Sequence, residues 1–181
     1  HIQVAEGTTI LEAAEQNGIP IPGQHTHREI NEIGACRICC VEVEGKEKLI
    51  TSCNNLVEDG MVIYTNSPKV RMNRRNMIEL ILSQHDCRCA SCVRSGNCSL
   101  QKIANALNVI DTPFHLDIER IPWNQNFPLI RDSAKCIKCM RCIQICDKVQ
   151  SLNVWDVEST GSRTTVHAVS YTHLRAHETA A

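Results

Sequence analysis

The distribution of twelve cysteines constrains this chain more than any other feature of its sequence. Ten of them and one histidine form three groups along the chain. The groups are Cys36, Cys39 and Cys53; His85, Cys89, Cys92 and Cys98; and Cys136, Cys139, Cys142 and Cys146. Each group contains a Cys-x2-Cys pair, a spacing that curls the backbone round a metal while its amide groups point at the sulfurs. Three such pairs in series, each with different further ligands, predict iron–sulfur clusters arranged for electron transfer.

The composition favours small modules organised round metal over one large core. The 181 residues include only two Phe, two Trp and two Tyr, and the formal net charge is −1. Metal binding can supply folding free energy that a small core lacks. The balanced charge gives no electrostatic case for a nucleic-acid partner. No apolar run approaches the roughly 18 residues that a membrane span requires.

A cysteine-rich chain can also be a secreted, disulfide-bonded protein. Cysteines two residues apart suit metal better than mutual bridging, and disulfide scaffolds do not segregate them into Cys-x2-Cys groups. Thiolate-bound clusters need a reducing compartment. We therefore expect a cytoplasmic protein.

The local patterns predict an α+β chain. Thr9-x-x-Glu12 is a capping box that opens a helix, and residues 41–44 alternate as the first strand of a hairpin. Residues 70–83 and 99–107 have helical patterns. For the first of these helices the expected apolar residues are Met77, Leu80 and Ile81, and the expected polar residues are Arg71, Arg74 and Arg75.

These patterns divide the chain into five segments. The predicted segments are a strand–helix–loop–hairpin unit (1–69), a helical unit (70–110), a proline-containing linker (111–130), a third cysteine unit (131–167) and a non-native read-through tail (168–181). The chain begins at His1 within a pattern, so we expect a fragment of a longer protein.

The first unit resembles a plant-type 2Fe–2S ferredoxin domain of β-grasp fold that lacks its first strand. The resemblance is carried by Gly34-Ala35-Cys36-Arg37-Ile38-Cys39, with Cys53 after the hairpin. That family has a fourth cysteine where this chain has His25. The resemblance implies that His25 is the fourth ligand; the alternative is that His25 faces solvent and the site is incomplete. Cys40, beside Cys39, is interpreted as a small buried hydrophobe.

The second group resembles the His/Cys3 4Fe–4S site shared by FeFe hydrogenases and the largest peripheral-arm subunit of respiratory complex I. The sequence Ser-Gly-Asn-Cys-Ser-Leu-Gln at 95–101 resembles the same families. The resemblance implies ligation by His85, Cys89, Cys92 and Cys98. A His/Cys3 set also binds structural zinc, so a zinc-binding module is a remote alternative. Cys87 is extra to the pattern and is interpreted as structural, or as a substitute for Cys89.

The third group resembles a bacterial-type ferredoxin run. In two-cluster ferredoxins of that type the fourth cysteine binds the other cluster. The resemblance therefore implies that Cys136, Cys139 and Cys142 hold one 4Fe–4S cluster. Cys146 would belong to a second cluster whose other ligands are missing, and we expect C-terminal truncation within this domain.

Together, residues 2–167 resemble the N-terminal iron–sulfur accessory region of multisubunit, NAD(P)-linked FeFe hydrogenases. The resemblance implies a relay for single electrons between a flavin/NAD(P)-binding subunit or a ferredoxin and a catalytic H-cluster domain. The cysteines of that catalytic domain are not in this sequence, so we assign no catalytic residue and expect the chain alone to be inactive. The same order of sites occurs in complex I and in NAD-linked formate dehydrogenases, which are the alternative parents.

Overall fold

The computed structural model describes residues 1–24, 30, 33–114, 116–118 and 131–168. Within these ranges the chain forms four α-helices and five short β-strands. In chain order they are α1 (Ile10–Gln16), β1 (Cys40–Val43), β2 (Ile50–Thr51), β3 (Ile63–Tyr64), α2 (Pro68–Leu82), α3 (Ser99–Ala106), α4 (Arg141–Lys148), β4 (Trp155–Glu158) and β5 (Thr165–Ala168). The α+β class predicted from the sequence is confirmed.

Helix α1 begins at the predicted capping box. The Thr9 side chain accepts a hydrogen bond from the Glu12 amide, and the Glu12 carboxylate accepts one from the Thr9 amide. Such reciprocal bonding satisfies amide groups that a helix start leaves without partners. The amide of Leu11 donates to the carbonyl of Ser52 at 2.9 Å. The start of α1 is thereby fastened to the residue that precedes Cys53.

The first sheet places the two ends of the hairpin at the same edge. Strand β1 lies between β2 and β3, and both pairings are antiparallel. Cys40 in β1 pairs with Thr51 in β2. Because Cys39 directly precedes β1 and Cys53 follows β2 closely, the hairpin returns Cys53 to the neighbourhood of Cys39.

Helix α2 buries a different set of residues from the predicted one. Met77 and Ile81 pack against the core as expected. Leu80, predicted on the apolar face, is 40% exposed, while Ile78 is fully buried. Arg74, predicted on the polar face, is only 4% exposed. The buried face of α2 is therefore rotated relative to the pattern, towards β1.

Among the described residues, a buried cluster of apolar side chains joins the first two predicted units. Its members are Ile38, Ile78, Leu100, Ile103, Ala104 and Val109. Ile38 comes from the first cysteine loop, whereas Ile78 and Leu100 come from α2 and α3. Cys36, Cys98 and Ile137 pack against this cluster from outside. Each of the three cysteine groups therefore has a member, or a residue between two members, in contact with the same core.

The last part of the described chain is an antiparallel hairpin beside α4. Strand β4 pairs with β5 from Trp155↔Ala168 to Glu158↔Thr165. The guanidinium of Arg131 lies 5.2 Å from the centre of the Trp155 ring, which is within the range of a cation–π contact. Strand β5 includes Ala168, the first residue of the predicted non-native tail.

The linker and the tail are described only in part. Residues 111–114 and 116–118 contain neither helix nor strand. The remainder of the linker, at 115 and 119–130, and the tail from 169 to 181 lie outside the described residues. No helix in the described ranges has the length and apolar character of a membrane span.

Candidate functional site

The three cysteines of the first group face one cavity. Cys36, Cys39 and Cys53 line a space of about 210 Å³, together with Gly34 and Ala35 of the same loop. Cys39 and Cys53 are buried, and Cys36 is half-buried. Three sulfur donors that converge on one small volume fit the thiolate ligand set of a 2Fe–2S cluster.

The first cysteine loop adopts the turn that such a site requires. Arg37, which lies between Cys36 and Cys39, has φ 51°, and Gly34 has φ 61°. A Cβ on Gly34 would lie 3.1 Å from Nδ2 of Asn54, so glycine also permits the close approach of the segment after Cys53. Left-handed residues within a loop turn successive amide groups towards one side, where an anionic group is favoured.

The electrostatics of the pair Cys39 and Cys53 favour one thiolate. The pKa of the Cys39 thiol is lowered to about 6, chiefly by a hydrogen bond from the Cys53 thiol, with a further contribution from Ser52. The pKa of Cys53 is raised, because its thiol donates to Cys39 and is buried. Thiolate is the form that binds iron, so Cys39 is prepared for ligation near neutral pH.

The predicted fourth ligand, His25, lies outside the described residues, and its role stays a prediction. Its neighbour Gln24 lines the same cavity and is 3% exposed. The Gln24 side-chain oxygen accepts a hydrogen bond from Ser99 Oγ at 3.1 Å. Since Ser99 follows Cys98, this bond connects the first cavity to the start of α3.

The predicted imidazole ligand of the second group, His85, is partly buried. His85 follows α2 closely, and its amide donates to the carbonyl of Leu82 at 3.1 Å. Its Nδ1 is buried and has no hydrogen-bond partner among the described residues. Burial lowers the pKa of the imidazole, and the charge of Lys135 lowers it further. A neutral imidazole with a buried, unpartnered nitrogen fits a metal ligand.

The cysteines of the second group lie on a turn and a helix start. The Cys92 amide donates to the carbonyl of Cys89 at 3.1 Å, which closes the Cys-x2-Cys turn. Cys98 is the N-cap residue of α3. Among the described residues, no three His, Cys, Asp or Glu side chains are grouped to hold a single metal ion.

Cys40 and Cys87, the cysteines outside the three groups, have other surroundings. Cys40 is 2% exposed within β1 and is not among the residues that line the first cavity. Cys87 is exposed, and its thiol donates to the carbonyl of His85 at 3.2 Å. Cys40 is therefore buried, as predicted, whereas the role of Cys87 stays a prediction.

The third group receives hydrogen bonds at its sulfurs. The Lys138 amide donates to Cys136 Sγ at 3.4 Å, and Arg141 Nε donates to Cys139 Sγ at 3.4 Å. Donors aimed at sulfur stabilise thiolates and raise the potentials of the clusters they bind. Lys138 and Met140 have φ 55° and 60°, which repeats the left-handed turn of the first loop.

Two cysteines of the third group line different cavities. Cys139 lines the first cavity, with Cys36 and its partners. Cys136 lines a second cavity of about 590 Å³. Cys146 is 4% exposed, and its sulfur accepts a hydrogen bond from the Val154 amide at 3.4 Å. The proximity of Cys139 to the first site could not be foreseen from spacing within the third group.

Direct hydrogen bonds fasten the second group to the third. The Asp86 amide donates to the carbonyl of Ala134 at 2.8 Å, and Lys135 Nζ donates to the carbonyl of Asp86 at 2.6 Å. The Lys138 ammonium donates to the side-chain oxygen of Gln84. The pKa of the Asp86 carboxyl is held well below its usual range, chiefly by a hydrogen bond from Arg88 and also by the charge of Lys135. The backbone beside His85 is thus bonded to the backbone beside Cys136.

Two family models match this chain. Residues 1–68 match a 2Fe-2S iron-sulfur cluster binding domain, and residues 74–113 match the NADH-ubiquinone oxidoreductase-G iron-sulfur binding region. The predicted iron–sulfur family resemblance is confirmed. So are the two kinds of cofactor, 2Fe–2S and 4Fe–4S.

Several curated relatives are oxidoreductase subunits. The NADP-reducing hydrogenase subunit HndD of Solidesulfovibrio fructosivorans is 39% identical over 157 residues, which are 83% of this chain and 27% of that protein. The NADPH-Fe(3+) oxidoreductase subunit alpha of Geobacter sulfurreducens is 34% identical over 93% of this chain and 20% of that protein. A subunit of the NADH-quinone oxidoreductase of Rhizobium meliloti is 33% identical over 82% of this chain and 18% of that protein. The chain thus spans about a quarter or less of these relatives.

A solved structure has a similar fold. The crystal structure of an NAD+-reducing [NiFe]-hydrogenase in the H2-reduced state superposes with a TM-score of 0.81. The match has 26% identity and covers 93% of this chain and 71% of that chain. The shared region therefore occurs in hydrogenases as well as in quinone oxidoreductases.

We predict that the metal-free protein keeps one thiolate near neutral pH. The ultraviolet absorbance of thiolate should fall as pH drops through about 6, because Cys39 then gains a proton. A Cys53→Ala variant lacks the thiol donor, so the transition should move to higher pH. A Cys39→Ser variant should show no transition near pH 6, and an unchanged titration in that variant would contradict the assignment to Cys39.

We also predict the loss of one whole cluster from a Cys92→Ala variant. After anaerobic reconstitution this variant should contain about four iron atoms per chain fewer than the parent, because a 4Fe–4S cluster needs all of its ligands. The matched control is Cys87→Ala, whose iron and sulfide content should equal that of the parent. Equal iron content in Cys92→Ala and the parent would refute the ligand set.

Proposed function

We propose that this chain is the electron-input region of an FeFe hydrogenase and carries single electrons to or from an H-cluster domain of the longer parent. The shared core supports the relay, and the 39% identity to the hydrogenase subunit HndD supports the hydrogenase parent. Cys36 of the first group, Cys98 of the second and Ile137 of the third pack against the same buried cluster. Electron transfer weakens steeply with distance, so sites built on one small core suit a relay.

The contacts between the sites supply short routes for electrons. The backbone bond between Asp86 and Ala134 joins the second and third groups without an intervening side chain. Cys139 lines the same cavity as Cys39, which brings the third group beside the first. Iron–sulfur clusters, when bound, accept and release one electron at a time. The role of this chain's residues is to hold them close and to exclude water from Cys39 and Cys53.

Three ligand sets follow for this relay. The first unit is a β-grasp 2Fe–2S domain with Cys36, Cys39, Cys53 and His25 as ligands. The second holds a 4Fe–4S cluster by His85, Cys89, Cys92 and Cys98. In the third, Cys136, Cys139 and Cys142 hold another 4Fe–4S cluster, and Cys146 belongs to a further one. The separate burial of Cys146, beside Val154, supports its assignment to a different cluster.

The partner is a flavin/NAD(P)-binding subunit or a ferredoxin, and the location is the cytoplasm. The relatives named as NADP-reducing and NAD+-reducing hydrogenases support a pyridine-nucleotide partner. The relative in Rhizobium meliloti supports the alternative parent, a quinone oxidoreductase of the complex I type. A formate dehydrogenase is a further alternative because it shares the order of the sites.

The downstream reading frame of the gene distinguishes these parents. We predict that it encodes the cysteine motifs of an H-cluster domain. The full-length protein should evolve hydrogen from a reduced electron donor, whereas this chain alone should take up electrons without producing hydrogen. A downstream molybdopterin domain would identify a formate dehydrogenase and overturn the hydrogenase assignment.

The fourth ligand of the first cluster can be tested through its reduction potential. We predict that the 2Fe–2S cluster is easier to reduce than all-cysteine plant-type clusters, which lie near roughly −400 mV, because imidazole adds no negative charge. Its potential should vary with pH, since an imidazole can exchange a proton at its second nitrogen. His25→Cys should lower the potential and flatten this dependence, as followed by EPR-monitored titration. A 2Fe–2S signal that is found only in the His25→Cys variant would show that the natural site is incomplete.

A further inference from the structure

Arg74 of α2 is a buried cation beside the first cysteine loop. Its side chain is almost completely enclosed, with 4% of the residue exposed. Nε donates to the carbonyl of Ile38 at 3.1 Å, and a terminal nitrogen donates to the carbonyl of Cys40 at 3.2 Å. These two carbonyls flank Cys39. The guanidinium therefore spans the backbone of a residue whose sulfur faces the first cavity.

A charge buried in this way is costly unless an opposite charge lies near it. The groups whose charges act on Arg74 in the described part of the chain are the thiols of Cys39 and Cys40, and burial lowers the pKa of the guanidinium while these thiols raise it. Arginine keeps its proton even when buried. The neighbouring arginine, Arg75, differs from Arg74 in its exposure and in its partner. Its side chain is half-exposed, and it forms an ion pair with the Glu79 carboxylate at 2.8 Å.

The preceding residue strengthens the attachment of α2 to the loop. Asn73 Nδ2 donates to the carbonyl of Arg37 at 3.2 Å. Adjacent residues of α2 therefore hold the carbonyls of Arg37, Ile38 and Cys40. Neutral hydrogen bonds alone could perform this positioning, so the use of a guanidinium at a position only 4% exposed calls for an electrostatic reason.

We propose that Arg74 is the counter-charge of the cluster bound by Cys36, Cys39 and Cys53, and that it raises the reduction potential of that cluster. The proposal rests on the ligand set of the proposed function. Reduction adds one negative charge to the cluster. A fixed positive charge in a poorly solvated site stabilises the reduced form more than the oxidised form. Arg74 belongs to α2, so the residue that raises the potential of the first cluster lies on the helix that leads to His85 of the second group.

The test is the potential of the 2Fe–2S cluster in the full 181-residue chain, measured by EPR-monitored redox titration. We expect Arg74→Gln, which keeps a donor but removes the charge, to lower the equilibrium constant for reduction at least tenfold. For a one-electron couple this is a fall of about 59 mV. The matched control is Arg75→Gln on the same helix, which should leave the constant within about twofold of the parent value. An unshifted potential in Arg74→Gln would overturn the proposal.

A second variant separates charge from positioning. Arg74→Lys keeps the charge but cannot donate to two carbonyls in the same fork. We expect its reduction constant to lie between those of the parent and Arg74→Gln, while its thermal stability falls. A shift in Arg74→Lys as large as that in Arg74→Gln would mean that bonding geometry controls the potential, and would overturn the proposal.

Three further outcomes are decisive. Should Arg74→Gln fail to hold a cluster, Arg74→Lys decides alone: a reduction constant lowered tenfold or more although the charge is kept would contradict the counter-charge. A parent chain without any 2Fe–2S signal would contradict the ligand set and the role of Arg74 together. A parent signal with unshifted variants would contradict the role of Arg74 and leave the relay intact.

Discussion

The burial of Ile38 between two cysteines fixes the geometry on which the other sites depend. Its side chain is completely enclosed and packs with Ile78 of α2 and Leu100 of α3. Full burial of such a side chain contributes roughly 1.5–3 kcal/mol. The contact makes the first cysteine loop part of the core of the helical unit. Cys36 and Cys39 on either side of Ile38 are thereby held at a fixed place relative to Cys98, the N-cap residue of α3.

Hydrogen bonds add to this apolar contact in holding the cysteine groups in place. The carbonyls of the first loop are bonded to Asn73 and Arg74, and the segment beside His85 is bonded to Ala134 and Lys135. Buried backbone oxygens are costly without donors. The same donors that satisfy these oxygens also fasten each cysteine group to its neighbour. Packing and hydrogen bonding therefore lead to one arrangement of all three groups.

Features set by neighbouring residues were predictable from the sequence, and features set by distant contacts were not. The capping box of Thr9 and Glu12 was predictable because both partners lie within one turn. The helix expected over 70–83 is Pro68–Leu82, and the one expected over 99–107 is Ser99–Ala106. The burial of Arg74 was missed because its partners belong to a loop 34 and 36 residues earlier. A helical pattern alone treats any arginine as solvent-exposed.

The same distinction applies to the predicted cluster ligands. Spacing identified the cysteines of the first group, which the structure brings to one cavity through a short hairpin. Spacing could not show that Cys139 lies at that cavity, because this depends on how the third unit packs on the first. Spacing also could not decide whether His25 is a ligand. Its place in the predicted ligand set comes from resemblance, and the residue lies outside the described residues.

The core contact of Ile38 also has a consequence for synthesis of the chain on the ribosome. Leu100 follows Ile38 by about 60 residues, and translation adds about 5–20 residues per second. For several seconds the first cysteine loop has emerged while its packing partners in α3 do not yet exist. During that interval the thiols of Cys36 and Cys39 are open to oxidants and to iron–sulfur carriers alike, so the timing of cluster delivery relative to translation bears on the yield of intact protein.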